Sequence, residues 1–150
     1  MGGMWNREAA RLLLLDDGNR VLLVQFENGR GVRWWAAPGG GVESGETIEQ
    51  ALAREAKEEL GLADVGAAQF TFEREVIFEN LQGATIRQHE HFFVDRCRSH
   101  EVPAEQLVHL RNEGVVAVRW WTADELRDTD ELVFPEGLVE LLRTLDEADP

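Results

Sequence analysis

The sequence lacks most of what would mark a secreted, membrane-spanning or nucleic-acid-binding chain. Cys97 is its single cysteine in 150 residues, so no internal disulfide can form, and a reducing cytoplasm is the expected compartment. The longest aliphatic run, Leu12 to Leu15, is far too short to cross a bilayer. The opening segment MGGMWNREAARLLLLDDG has an early acid and no cleavage pattern after its leucines. It reads as a strand rather than a signal peptide. Cations are scarce, with 15 Lys and Arg against 29 Asp and Glu, a formal net charge of −14. Gripping a nucleic-acid backbone calls for the opposite sign, and most of the excess acid serves solubility. No repeat, low-complexity block or linker divides the chain, so residues 1–150 are expected to form a single domain.

What is present alternates strand-like and helical patterns. AARLLLLDDGNRVLLVQF reads as a hairpin about Asp17-Gly18-Asn19. A loop and short strand end at Pro38. A helix is expected from about Thr47 to Leu60, with Thr47 and Gln50 as a capping box and Gly61 as the C-terminal cap. AAQFTFEREVIFE and TIRQHEHFFVDRC read as strands joined by a turn at NLQGA. Ser99 to Asn112 reads as an irregular polar connection. GVVAVRWWT is a further strand, Thr122 can cap the short helix ADEL, and a last amphipathic helix is expected to start near Pro135. Its apolar stripe is Leu138, Leu141, Leu142 and Leu145. This order implies an α/β fold, a mixed sheet with helices on its faces.

The helix after the Gly39-Gly40-Gly41 run carries its acids in an unexpected position. On a wheel of about 100° per residue, with Ile48 at zero, Leu52 falls near 40°, Glu59 near 20°, Glu55 near 340° and Glu58 near 280°. Glu55 and Glu59 therefore continue the apolar stripe of Ile48 and Leu52, while Lys57 points away. The arrangement is unfavourable in three ways. Like charges three and four residues apart repel, acids in the last turns oppose the helix dipole, and charge turned toward a buried face loses hydration. Arg54 relieves only part of this. A hard divalent cation relieves it fully, because Mg²⁺ takes carboxylate oxygens and keeps substrate phosphates among its other ligands. The glycine run permits close backbone approach to a ligand and leads into a helix N-terminus suited to anions.

Gly40, five residues, Glu46, seven residues, then Arg54-Glu55-Ala56-Lys57-Glu58-Glu59-Leu60-Gly61-Leu62 resembles the Nudix box, G-x5-E-x7-R-E-U-x-E-E-x-G-U. Every fixed position agrees, and Ala56 at the first U is small but apolar. The resemblance implies an α/β/α sandwich and hydrolysis of a nucleoside diphosphate linked to another moiety, with Mg²⁺ or Mn²⁺ required. Carried over position by position, it implies Glu55, Glu58 and Glu59 as metal ligands, with Glu55 also a candidate base. It further implies the Gly39 carbonyl as another ligand, and Arg54 as a group that positions the acids with help from Glu46. A further acid from outside the box is expected as catalytic group or ligand. Glu113 is favoured over Glu90, with Glu101 and Glu105 in the polar connection as alternatives. His89 and His91 flank Glu90 and read as a solvent-facing pair rather than as metal ligands.

Downstream signatures narrow the substrate by their absence. Where ADP-ribose hydrolases of the family place a proline, this chain has Ile77 and Phe78. It has no tyrosine at all, where dinucleoside polyphosphate hydrolases place one. The coenzyme A signature is also missing. The expectation is a nucleoside triphosphate cleaved to monophosphate and diphosphate. Nucleotide sugars, ADP-ribose, dinucleoside polyphosphates and a non-catalytic nucleotide-binding role are the alternatives. Trp34, Trp35 or Phe26 can stack on a base; the competing reading makes Trp34, Trp35, Trp120 and Trp121 core and edge residues. The expected partner is a small-molecule nucleotide, with no nucleic-acid polymer and no membrane. A homodimer is left open.

Overall fold

A computed structural model describes residues 4–80 and 82–148 of the protein. Leu81, in the turn read at NLQGA, lies outside the described residues. The described strands are β1 (Met4–Leu15), β2 (Val21–Glu27), β3 (Arg33–Ala36), β4 (Gly39–Gly41), β5 (Gln69–Glu79), β6 (Thr85–Arg96) and β7 (Val115–Trp121). The helices are α1 (Ile48–Leu60), α2 (Ala104–Asn112), α3 (Ala123–Asp128) and α4 (Leu138–Ala148). All strands join one mixed sheet whose main path runs β3-β2-β1-β6-β5, with β4 pairing β1 and β7 pairing β2.

Leu12 to Leu15 explain the layering. Successive side chains of a strand point to opposite faces. Leu12 and Leu14 therefore pack under α1 with Ala51, Leu52, Ala56 and Leu60. Leu13 and Leu15 pack on the other face with Leu126 of α3 and Leu138 and Leu142 of α4. A central strand buried on both sides reads as a continuous apolar run. The result is an α/β/α sandwich around a mixed sheet.

Three local expectations are corrected. The β1/β2 hairpin pairs only at its closed end, Leu15 with Val21; from there β1 runs parallel to β6 along its length and β2 turns to β3 and β7. The polar connection contains the helix α2, which packs Leu110 against Val24 and Val115. The last helix begins at Leu138 rather than at Pro135, because Gly137 takes a φ of 81°, a left-handed conformation outside the helical range. Its four leucines do face one core.

Helix α1 is fixed at both ends. The Thr47 hydroxyl accepts from the Gln50 N–H while the Gln50 side chain accepts from the Thr47 N–H. At the far end Gly61, at φ 70°, closes a reciprocal pair of bonds, Gly61 N–H to Lys57 O and Leu62 N–H to Ala56 O. These caps set where the acid-bearing turns stand relative to β4.

Candidate active site

Glycines let α1 and β4 approach closely. A Cβ at Gly40 would lie 2.6 Å from Glu55 Oε1, and one at Gly41 would lie 2.5 Å from the Arg7 guanidinium. Glu59 is buried, 8% exposed, and its Oε2 accepts from the Gly39 N–H at 3.3 Å. Burial first, then the adjoining Glu55 carboxylate, pushes the Glu59 carboxyl well above the ordinary carboxylate range. Arg11 and the Gly39 N–H pull it back only in part.

Arg54 gathers the remaining acids. It donates to both oxygens of Glu46 at 2.8 and 3.1 Å, to the Gly41 carbonyl at 3.0 Å, to Glu55 Oε1 at 3.0 Å and to Glu58 Oε2 at 3.4 Å. The bidentate bond from Arg54 is the main reason the Glu46 carboxyl sits below its usual range, and the same bond raises the Arg54 guanidinium further.

A cavity of about 480 Å³ opens here, lined by Glu55, Glu58, Glu59 and Arg54 from α1, by Gly41 and Val42, by Arg7 from β1, and by His109 and Glu113 from the C-terminal end of α2. The fold thus brings Glu113 to the same cavity as the α1 acids. Its carboxylate is exposed and 3.8 Å from His109 Nε2. Glu90 is not at this cavity. It is 3% exposed and accepts from Arg11 at 2.8 Å, Gln88 at 2.9 Å and Arg74 at 2.7 Å. Burial raises its carboxyl, but the two guanidiniums together outweigh that and hold it below the usual range. Arg11 also donates to the carbonyls of Ala37 and Gly39 at 3.3 and 3.2 Å, so Glu90 braces the glycine strand from behind. Glu101 and Glu105 are exposed and do not line the cavity.

Two residues of the cavity escaped the sequence reading. Arg7 sits in a stretch read only as a strand lead-in, and His109 in the connection read as irregular. The spacing of His109 and Glu113, four residues apart, is the signal that a helical reading would have exposed. The aromatics are elsewhere. Trp35 stacks edge-on against Trp121 in the core, while Trp34 stacks on Phe26 at 5.7 Å on β2 and β3.

The donor set fits a hard divalent cation. It is all oxygen, and a buried carboxyl beside a second one needs either a proton or a metal to cancel its charge. Arg54 holds Glu55 at 3.0 Å and Glu58 at 3.4 Å, so both carboxylates lean to its guanidinium. Among the described residues, the side chains whose ligand atoms do converge are Glu8, His89 and His91.

The sequence profile of the NUDIX domain matches residues 5–142. The chain belongs to the Nudix family. It is 52% identical over 50 residues to nucleoside triphosphatase NudI of Escherichia coli O139:H28, a match covering 32% of this chain and 36% of that protein. It is 45% identical over 49 residues to the ADP-ribose pyrophosphatase of Methanocaldococcus jannaschii, covering 33% and 29%. The chain therefore spans about a third of the length of these curated relatives. Over nearly the whole chain the fold resembles the crystal structure of a MutT NUDIX hydrolase from Burkholderia pseudomallei, with a TM-score of 0.64 at 22% identity, covering 92% of this chain and 96% of that one.

Proposed function

We propose that this Nudix protein is a metal-dependent hydrolase that cleaves a nucleoside triphosphate to a monophosphate and diphosphate. The observation that carries the reading is the buried Glu59 carboxyl in contact with Glu55 at the rim of an acidic cavity. Holding two carboxyls together out of water is unfavourable unless a cation belongs with them. The short match to a nucleoside triphosphatase supports the choice of substrate class, as do the missing proline and tyrosine signatures. The match to an ADP-ribose pyrophosphatase keeps that substrate as the second reading.

Glu55, Glu58 and Glu59 are proposed to hold Mg²⁺ or Mn²⁺, with the Gly39 carbonyl adjacent. When bound, the cation supplies charge neutralisation and polarises the phosphoryl oxygens. Arg54 keeps the three acids in register, and Arg7 offers a guanidinium to a phosphate entering past Gly41. Glu55, held by Arg54 and facing the cavity, accepts the proton of the attacking water. Glu113 and His109 line the same cavity from the end of α2. Glu90 acts through Arg11 on the glycine strand rather than on substrate.

The test is a panel of nucleoside triphosphates, nucleotide sugars, ADP-ribose and dinucleoside polyphosphates, read by released phosphate or diphosphate. Triphosphate cleavage with Mg²⁺ or Mn²⁺ that stops in excess EDTA is expected, and Glu59→Gln should lower kcat by at least about 10²-fold. Turnover persisting in chelator defeats the metal role. A preference for ADP-ribose defeats the substrate assignment.

A further inference from the structure

The histidines of β6 build a second cluster apart from the α1 acids. Strand alternation turns His89 and His91 to the face opposite Glu90, the face on which Phe93 packs into the α1-side core. The parallel register sets Glu8 of β1 opposite His89, and the antiparallel register sets Glu73 of β5 opposite His91. The two imidazoles lie 4.5 Å apart. One carboxylate oxygen, Glu8 Oε2, is 2.6 Å from His91 Nε2 and 3.4 Å from His89 Nδ1, and the three residues can each offer one ligand atom within 4.8 Å of the other two. The other ring nitrogens face a second carboxylate. Glu73 Oε2 is 3.3 Å from His89 Nε2 and 3.7 Å from His91 Nδ1.

We propose that Glu8, His89 and His91 form a site for a divalent transition-metal ion such as Zn²⁺, with Glu73 as the group that orients the His89 ring. With neutral imidazoles the cluster carries the two carboxylate charges of Glu8 and Glu73, which a divalent ion cancels. Ligands held tetrahedrally at roughly 2.0–2.2 Å from one Zn²⁺ lie about 3.4 Å apart; the Glu8–His89 pair already has that spacing, and the Glu8–His91 pair has to open from 2.6 Å to admit the ion. A ligating histidine ordinarily donates its other N–H to a carboxylate that fixes tautomer and ring orientation, and Glu73 stands where His89 needs that partner, 3.3 Å from its Nε2. The mixed nitrogen and oxygen set separates this site from the all-oxygen cluster on α1, since imidazole suits Zn²⁺, Ni²⁺ or Cu²⁺ and hard Mg²⁺ does not favour it. The bound ion would link β1, β5 and β6. The Glu8 carbonyl also accepts from the Val42 N–H at 2.9 Å, so the linkage adjoins a residue of the acidic cavity.

The experiment is a Zn²⁺ titration of the full chain, free of any affinity tag, by calorimetry in millimolar Mg²⁺ that occupies oxygen-only sites. Co²⁺ serves as a parallel probe read by its visible absorption. Wild type should bind Zn²⁺ at one ion per chain. Glu73→Gln should weaken binding about 10- to 100-fold, as loss of an orienting carboxylate does, and His89→Gln should weaken it further. The double change Glu55→Gln with Glu59→Gln should leave Zn²⁺ binding intact. Circular dichroism of each variant reports folding, and His89 and Glu73 stand at the surface where their replacement leaves the cores untouched. Absence of stoichiometric Zn²⁺ binding, or equal binding by folded His89→Gln, would reduce the cluster to a salt-bridge network of protonated histidines. Loss in the Glu55/Glu59 double variant would instead move the ion to α1. The readout is metal binding rather than hydrolysis, so the outcome is independent of the proposed activity.

Discussion

Glu59 concentrates the tension of the molecule at the scale of one residue. Its carboxyl is pushed above the ordinary range by burial and by Glu55, so in metal-free protein the folded state holds a proton that the unfolded chain releases near pH 4.3. Stability of the metal-free protein should therefore fall as pH rises from that value toward the raised folded one. Replacing Glu59 by Gln removes the term. In EDTA the variant should melt above wild type at neutral pH, with the gap closing below about pH 4. Thermal melts across pH with and without Mg²⁺ read this directly, and added Mg²⁺ should stabilise wild type but not the variant. A variant that melts below wild type at neutral pH would make Glu59 a structural anchor. Glu90 presents the converse case. The family resemblance made it a candidate ligand, yet Arg11 and Arg74 saturate it from neighbouring strands. No sequence pattern announces a pairing across 79 residues, because it exists only through the parallel β1/β6 register.

At the scale of elements, α1 was legible and α2 was not, for physical reasons. Helix α1 advertises itself through a capping box, a glycine cap and a long amphipathic stripe, all local in sequence. Helix α2 begins after Pro103 without a side-chain cap, exposes Leu107 and Val108 and buries Leu110. Its pattern is therefore weak, and contact with β7 rather than local propensity fixes it. That difference separates two candidate bases. Glu55 on α1 is held by Arg54, whereas Glu113 at the end of α2 is exposed and only loosely paired with His109. A general base contributes roughly 10²- to 10⁴-fold when it is positioned. Glu55→Gln should lose activity in that range, and Glu113→Gln less than about tenfold. Steady-state kinetics of both variants across a Mg²⁺ series decides it. If Glu113→Gln is the more damaging and metal affinity is unchanged, the base sits on α2.

The whole molecule joins a sheet with two cores to one acidic cavity at the edge of one of them. The apolar run of β1 foretold a strand and the order of elements foretold a mixed sheet with helices on its faces, so the layering could be read early. The parallel partnership of β1 with β6, which carries Glu8 to the histidines and Arg11 to Glu90, is long-range and could not. The net charge of −14 now has a local component, because Glu43, Glu55, Glu58, Glu59 and Glu113 share one cavity with Arg7 and Arg54. A polyanionic nucleotide can enter such a cavity only with cations, which makes metal binding by the α1 acids the central claim. Mn²⁺ titration followed by electron paramagnetic resonance measures it most directly. Wild type should bind Mn²⁺ displaceably by Mg²⁺, and the double change Glu55→Gln with Glu59→Gln, still folded by circular dichroism, should weaken that binding at least about tenfold. Mn²⁺ bound equally well by the double variant would contradict the account.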